Sequence, residues 1–76
     1  MYLKEKKENR QFREALDSIP VKDIAEIKEK IISATGIDKF KLNDWRSRIS
    51  IPYLAKLEIE KIFREYHNQP TLIIFE

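Results

Sequence analysis

The feature that most constrains this 76-residue chain is its single glycine, Gly36, which lies between two helical patterns. Before it, apolar residues from Val21 to Ile32 recur at the three- and four-residue steps of one helix face. After it, Leu42 and Trp45 have the spacing of a shorter helix. A helix often ends at a residue with positive φ, which glycine adopts at the least cost. We therefore predict two helices joined by a tight turn at Gly36, which form either a helix-turn-helix unit or a plain αα-hairpin in a small bundle.

The same patterns predict a single, mainly α domain over residues 1–76, with four helices and a C-terminal β-strand. The helices are expected at about 4–16, 21–35, 39–47 and 52–67. Pro20 and Pro52 suit helix starts, with Ser50 or Ile51 as the cap of the last helix, and Asp38 is the expected N-cap of the third. The expected apolar face of the fourth helix holds Tyr53, Leu54, Leu57, Ile62, Phe63 and Tyr66.

Composition excludes several kinds of site. The chain has no cysteine and one histidine, so disulfides, thiolate metal sites and multi-histidine zinc sites are excluded. No apolar run approaches the roughly 18 residues of a membrane span, and the charged N-terminus lacks the apolar stretch of a signal peptide. We expect a cytoplasmic protein. Neither a phosphate-binding glycine loop nor a nucleophile with its base is present, so we predict no enzyme activity, cofactor or small-molecule substrate.

Charge is distributed unevenly along the chain, although the net charge is only +2. Basic side chains are in excess in residues 1–14 and 36–50, and acidic ones are in slight excess elsewhere. This pattern is typical of a surface that faces phosphates, and equally of the solvated faces of a small charged protein.

The last six residues, 71–76, are rich in β-branched and aromatic side chains and predict a short strand. The sequence offers this strand no partner within the chain, and an unpaired apolar edge recruits one. Two alternatives follow. The strand pairs with its counterpart in a second copy to form a homodimer, or the segment packs as a coil on its own core.

Residues 20–66 resemble the Cro and repressor-type helix-turn-helix proteins of phages and plasmids. In that family a glycine marks the turn, here Gly36, and an apolar residue follows at once, here Ile37. The buried positions of the recognition helix are matched by Leu42 and Trp45. The resemblance implies a small transcriptional regulator that binds double-stranded DNA sequence-specifically as a dimer.

The resemblance also implies which residues meet the DNA. Lys39 suits a guanine edge or a phosphate, Asn43 an adenine edge, and Phe40, if it is exposed rather than packed, a thymine methyl. Arg46 and Arg48 suit phosphate contacts. The full predicted DNA-binding set, which adds one flanking lysine, is Lys39, Phe40, Lys41, Asn43, Arg46 and Arg48.

A second hypothesis is a protein-interaction module that keeps the helix-turn-helix scaffold without binding DNA. The carboxylates of Asp38 and Asp44 and the low net charge motivate it, as does Ile32, which stands where the family usually has alanine. The surface of the third helix discriminates the two hypotheses. Exposed basic side chains favour DNA, and basic side chains neutralised by nearby acids favour a protein partner.

Overall fold

The structure, a computed structural model, describes residues 5–76 and is a small, mainly helical fold. Its helices are α1 (Lys7–Asp17), α2 (Val21–Thr35), α3 (Lys39–Ser47) and α4 (Tyr53–His67). The predicted bounds of the last three helices agree with these to within a residue. The predicted start of the first helix, near residue 4, lies outside the described residues, and α1 begins at Lys7.

The connections between helices follow the local signals in the sequence. Gly36 ends α2 in the left-handed conformation at φ 73°, and its N–H donates to the Ile32 carbonyl at 2.9 Å. Asp38 caps α3, because its carboxylate accepts a hydrogen bond from the Lys41 N–H at 2.8 Å. The turn between α2 and α3 is therefore three residues long, 36–38. Pro52 itself, rather than Ser50 or Ile51, is the N-cap of α4.

The helices pack in alternation: α3 lies mainly against α1, and α2 mainly against α4. All four contribute apolar side chains to one core, in which Leu42 and Trp45 are each 2% exposed, as predicted. The buried core consists of Phe12, Leu16, Ile19, Ile27, Ile31, Leu42, Trp45, Ile51, Ala55, Ile59, Ile62 and Phe63. At the edge of the α2–α4 contact, the Tyr66 hydroxyl donates to Asp23 Oδ2 at 2.5 Å.

The predicted apolar face of α4 is partly wrong. Tyr53 and Leu54 are 70% and 73% exposed, and Leu57 is 43% exposed. The core-facing side of α4 is instead formed by Ala55, Ile59, Ile62 and Phe63. The helix carries apolar residues on two sides near its N-terminus, and only one of those sides faces the rest of the protein.

The predicted β-strand at residues 71–76 is also wrong, because no strand forms within residues 5–76. The chain after α4 adopts the other alternative, a coil packed on its own core. Leu72, Ile74 and Phe75 are half-buried against that core, and the ring centroids of Phe75 and Phe12 are 6.4 Å apart.

A buried carboxylate holds this C-terminal segment in place. Glu60, only 9% exposed, accepts hydrogen bonds from the backbone N–H groups of Ile74 and Phe75 at 3.0 and 3.1 Å. The Arg64 Nε donates to the Leu72 carbonyl at 2.8 Å. Side chains of α4 thus satisfy backbone groups that would otherwise pair with a second strand.

None of the helices in residues 5–76 combines the length and the apolar character needed to cross a bilayer.

Candidate nucleic-acid interface

A buried amide on α1 determines where α3 lies. Asn9 is 0% exposed, and its Nδ2 donates to the carbonyls of Trp45 at 2.7 Å and Ile49 at 2.8 Å. Its Oδ1 accepts from the Lys6 N–H at 3.0 Å. The last carbonyls of a helix have no partner within it. Asn9 supplies one for α3 and thereby joins the start of α1 to the end of α3.

Two cations, one at the N-cap of α1 and one within the helix, complete this contact. Lys6 Nζ donates to the Arg48 carbonyl, and Arg13 Nη1 to the Arg46 carbonyl, each at 3.3 Å. Positive charge is favourable at the C-terminal end of a helix, where the helix dipole is negative. Arg13 also forms an ion pair with Glu5. The hydrogen bond between these two side chains raises the pKa of the Arg13 guanidinium. Residues 5–14 of the first basic stretch therefore lie against the second, residues 36–50.

The loop after α3 is held from the same side. The Ile51 N–H donates to Glu8 Oε2 at 2.6 Å, and Lys56 Nζ lies 3.6 Å from the same oxygen. Contacts from α1 thus anchor both the end of α3 and the loop that follows, while the outer face of α3 is left to solvent.

The predicted DNA-binding residues lie on or beside this outer face. Phe40 is 70% exposed, with Lys39 Nζ 6.0 Å from its ring centroid. Its side chain is therefore free to contact a ligand rather than being part of the core. The exposed members of the predicted set are Lys39, Phe40, Lys41, Asn43 and Arg48.

Arg46 differs from the prediction of a free phosphate contact, because it is half-buried. Its Nε is buried without a hydrogen-bond partner in the described part of the chain, and its Nη1 lies 3.4 Å from Asn43 Oδ1. The guanidinium therefore leans back along α3 toward Asn43. An arginine in this position can orient the amide of Asn43, and it must swing outward to reach a phosphate.

The helical period divides the predicted set into two groups. Lys39, Asn43 and Arg46 follow one another at steps of four and three, which places them along one side of α3 with Phe40 beside them. Lys41 lies on the opposite flank. The structure does not bring all six side chains into one cluster.

None of the basic side chains of α3 is neutralised by an ion pair within residues 5–76. Asp38 is engaged as the N-cap of α3, and Asp44 is exposed without a paired cation in this range. The ion pairs found there all lie on other elements: Arg13–Glu5, Lys30–Glu26, Lys56–Glu8 and Arg64–Glu60. The exposed charges of Lys39 and Lys41 are therefore available to an outside partner.

Sequence reasoning missed Asn9, although a signal for it exists. Asn9 precedes Phe12 by three residues and Leu16 by seven, so the helical period places it on the buried face of α1. A polar residue on that face requires hydrogen-bond partners. Over the described chain, no group of three His, Cys, Asp or Glu side chains is arranged to hold a metal ion.

No family model, curated protein or solved structure matches this chain.

Proposed function

We propose that this protein binds double-stranded DNA with α3 in the major groove, as a small transcriptional regulator of the Cro/repressor type. The observation that carries the proposal is the unpaired positive charge of α3, described above, next to the cations of α1. Unpaired lysine and arginine side chains release counterions from DNA when they approach its phosphates, which provides affinity for any duplex.

The outer face of α3 supplies groups suited to reading bases. Lys39 can donate to guanine O6 and N7, and the amide of Asn43 can pair with an adenine edge. Phe40, beside them on the exposed surface, suits the methyl group of thymine. Base contacts of this kind give sequence preference, whereas phosphate contacts give position.

The cations that flank this face are suited to phosphate contacts. Arg48 is exposed just after α3, and Lys41 is exposed on its flank. Lys6, the N-cap of α1, donates to the carbonyl of Arg48 and so adds a further cation at this end of α3. Phosphate contacts from the flank and the C-terminal end of α3 would set its register along the duplex.

A protein-interaction module is the second candidate. Asp44 is exposed on the same helix and its carboxylate would face the phosphates of a docked duplex. Arg46, half-buried beside Asn43, is less available than a phosphate contact requires. These two observations favour a protein partner, and the experiment below separates the candidates.

The test is fluorescence anisotropy with a labelled random duplex at low and at moderate salt. Wild type should bind at low salt and weaken steeply as salt rises. Lys39→Glu should weaken binding about tenfold or more, since it reverses a charge on the proposed contact surface.

Lys22→Glu is the matched control, because it makes the same charge change at an exposed position in the first turn of α2. Lys22→Glu should weaken DNA binding much less than Lys39→Glu does. Equal losses for the two variants would mean that only net charge matters and would overturn the assignment to α3. Absence of salt-dependent binding by wild type would favour the protein-interaction module.

A further inference from the structure

The C-terminal segment runs antiparallel along one side of α4, where three charged side chains contact it. Arg64 Nε donates to the Leu72 carbonyl at 2.8 Å, and Glu60 Oε2 accepts from the Phe75 N–H at 3.1 Å. Lys56 Nζ lies 5.7 Å from the centroid of the Phe75 ring. These three residues of α4 follow one another at steps of four, so they form one stripe along the helix.

Lys56 connects the C-terminal segment to the loop after α3. Its Nζ lies 3.6 Å from Glu8 Oε2, and the same oxygen accepts the hydrogen bond from the Ile51 N–H at 2.6 Å. The Lys56 and Glu8 side chains are only 28% and 21% exposed, so salt screens their attraction less than that of a surface pair. A continuous path of contacts therefore joins the Phe75 ring to the backbone of the loop.

The Phe75 ring affects where the Lys56 ammonium lies. A lysine side chain loses conformational entropy when it is held in one position, and each favourable contact offsets part of that cost. The face of an aromatic ring attracts a cation, so Phe75 favours the position in which Lys56 also meets Glu8. Without the ring, positions of Lys56 away from Glu8 become more populated, and the carboxylate that accepts the Ile51 N–H is held less firmly.

We propose that the C-terminal segment acts as a strap that, through Lys56, holds the loop after α3 against α1. With the segment seated on α4, Lys56 and Glu8 fix the Ile51 N–H. When the segment lifts from α4, the loop opens more often. Arg48, the exposed cation proposed to contact phosphate, lies at the start of this loop. The coupling is a property of the protein without DNA and does not depend on that proposal.

The first test is amide hydrogen exchange of the full chain, followed by NMR. Phe75→Leu keeps an apolar side chain near Phe12 but removes the ring face that attracts Lys56. It should raise the exchange rate of the Ile51 N–H about threefold or more. The N–H of Ile31, in the middle of α2 with a fully buried side chain, is the reference for global unfolding, and its rate should rise less.

The control is a substitution in the same segment that leaves the contact with Lys56 in place. Ile73 is 61% exposed, so Ile73→Ala removes apolar side-chain atoms without removing the Phe75 ring. In Ile73→Ala the exchange rates of Ile51 and Ile31 should both remain close to those of wild type. Far-ultraviolet circular dichroism of both variants should match wild type, which confirms that they fold.

The second test asks whether Lys56 transmits the effect. Lys56→Met has a side chain of similar length without the charge, so it removes the contacts with both Glu8 and the Phe75 ring. This variant alone should raise the exchange rate of the Ile51 N–H. Adding Phe75→Leu to Lys56→Met should raise it no further relative to Ile31, because the path between the ring and the loop is already broken.

A selective rise at Ile51 in Phe75→Leu that disappears in the Lys56→Met background supports the proposal. Equal rises at Ile51 and Ile31 would mean that Phe75 contributes only to global stability, and would overturn it. A selective rise that persists in the Lys56→Met background would overturn the role of Lys56. An Ile51 N–H that exchanges without protection in wild type would contradict the contact on which the coupling depends. DNA takes no part in these outcomes, so they leave the test of α3 unaffected.

Discussion

The contact between α1 and α3 and the contact between α2 and α4 are built from different chemistry. The first contains a fully buried amide, Asn9, that bridges two backbone carbonyls. The second is formed by aliphatic side chains of α2 and α4 in the core, and its hydrogen bond from Tyr66 to Asp23 lies only at the edge. Apolar packing tolerates small shifts, whereas hydrogen bonds demand one geometry. The helix with the candidate binding surface is thus the one positioned by directional contacts.

The largest effect is expected at Asn9. Asn9→Ala should lower the free energy of unfolding by about 3 kcal/mol, because it leaves the buried Trp45 carbonyl and the partly buried Ile49 carbonyl without their donor. Urea unfolding followed by Trp45 fluorescence measures this. Asn43→Ala, which removes an exposed amide from α3, is the control and should cost well under half as much. Equal losses of stability for the two variants would contradict the conclusion that the hydrogen bonds of Asn9 stabilise the α1–α3 contact.

A smaller effect is expected at Gly36, which joins one helix pair to the other. Gly36→Ala should cost about 1 kcal/mol, since φ is 73° and a non-glycine residue is strained there. A Cβ at this position would meet no atom within 4 Å, so the cost is conformational rather than steric. Gly36→Asn should cost less, because asparagine visits this region more readily, as Asn68 does at φ 54°. Thermal unfolding ranks the three proteins, and a larger loss for Asn would contradict this explanation.

The smallest effect, which is recognised by its dependence on pH, is expected at Tyr66. Its hydrogen bond to Asp23, with a contribution from burial, raises the pKa of the phenol above its ordinary value of 10.0. The raised pKa stabilises the fold below pH 10.0, and this contribution is lost as the pH rises through the folded-state pKa. Tyr66→Phe should therefore reduce the loss of stability above pH 10.0, measured by urea unfolding at several pH values. An unchanged pH dependence would mean that the α2–α4 contact contains no polar component of consequence.

Helix bounds could be predicted because their signals are local. Gly36 adopts the positive φ that its position after the apolar stripe indicated, and Asp38 caps the next helix as expected. Such signals depend on backbone sterics and on short-range hydrogen bonds, both of which a sequence window contains.

The errors arose where distant residues decide the outcome. Which side of α4 is buried depends on where α2 packs. The N-terminal half of α4 has Leu54 on one side and Ala55 on the other, so its sequence does not show which side faces the core. The C-terminal segment has a high β propensity, yet Glu60 of α4 supplies hydrogen bonds that a sheet would otherwise provide. At the candidate site, the exposure of Phe40 and the half-burial of Arg46 likewise depend on packing that the sequence does not state.

The alternating order of the helix pairs has a consequence for how the chain reaches its fold. The contacts of Asn9 with Trp45 and Ile49 span 36 and 40 residues, and that of Tyr66 with Asp23 spans 43. Helices adjacent in sequence do not form the main pairs, so no early hairpin of two helices can bury its apolar side alone. Closing such distant contacts costs chain entropy before the stabilising contacts between the helices can form. We therefore expect folding to wait until α4 has left the ribosome, and to proceed as one cooperative event rather than helix by helix.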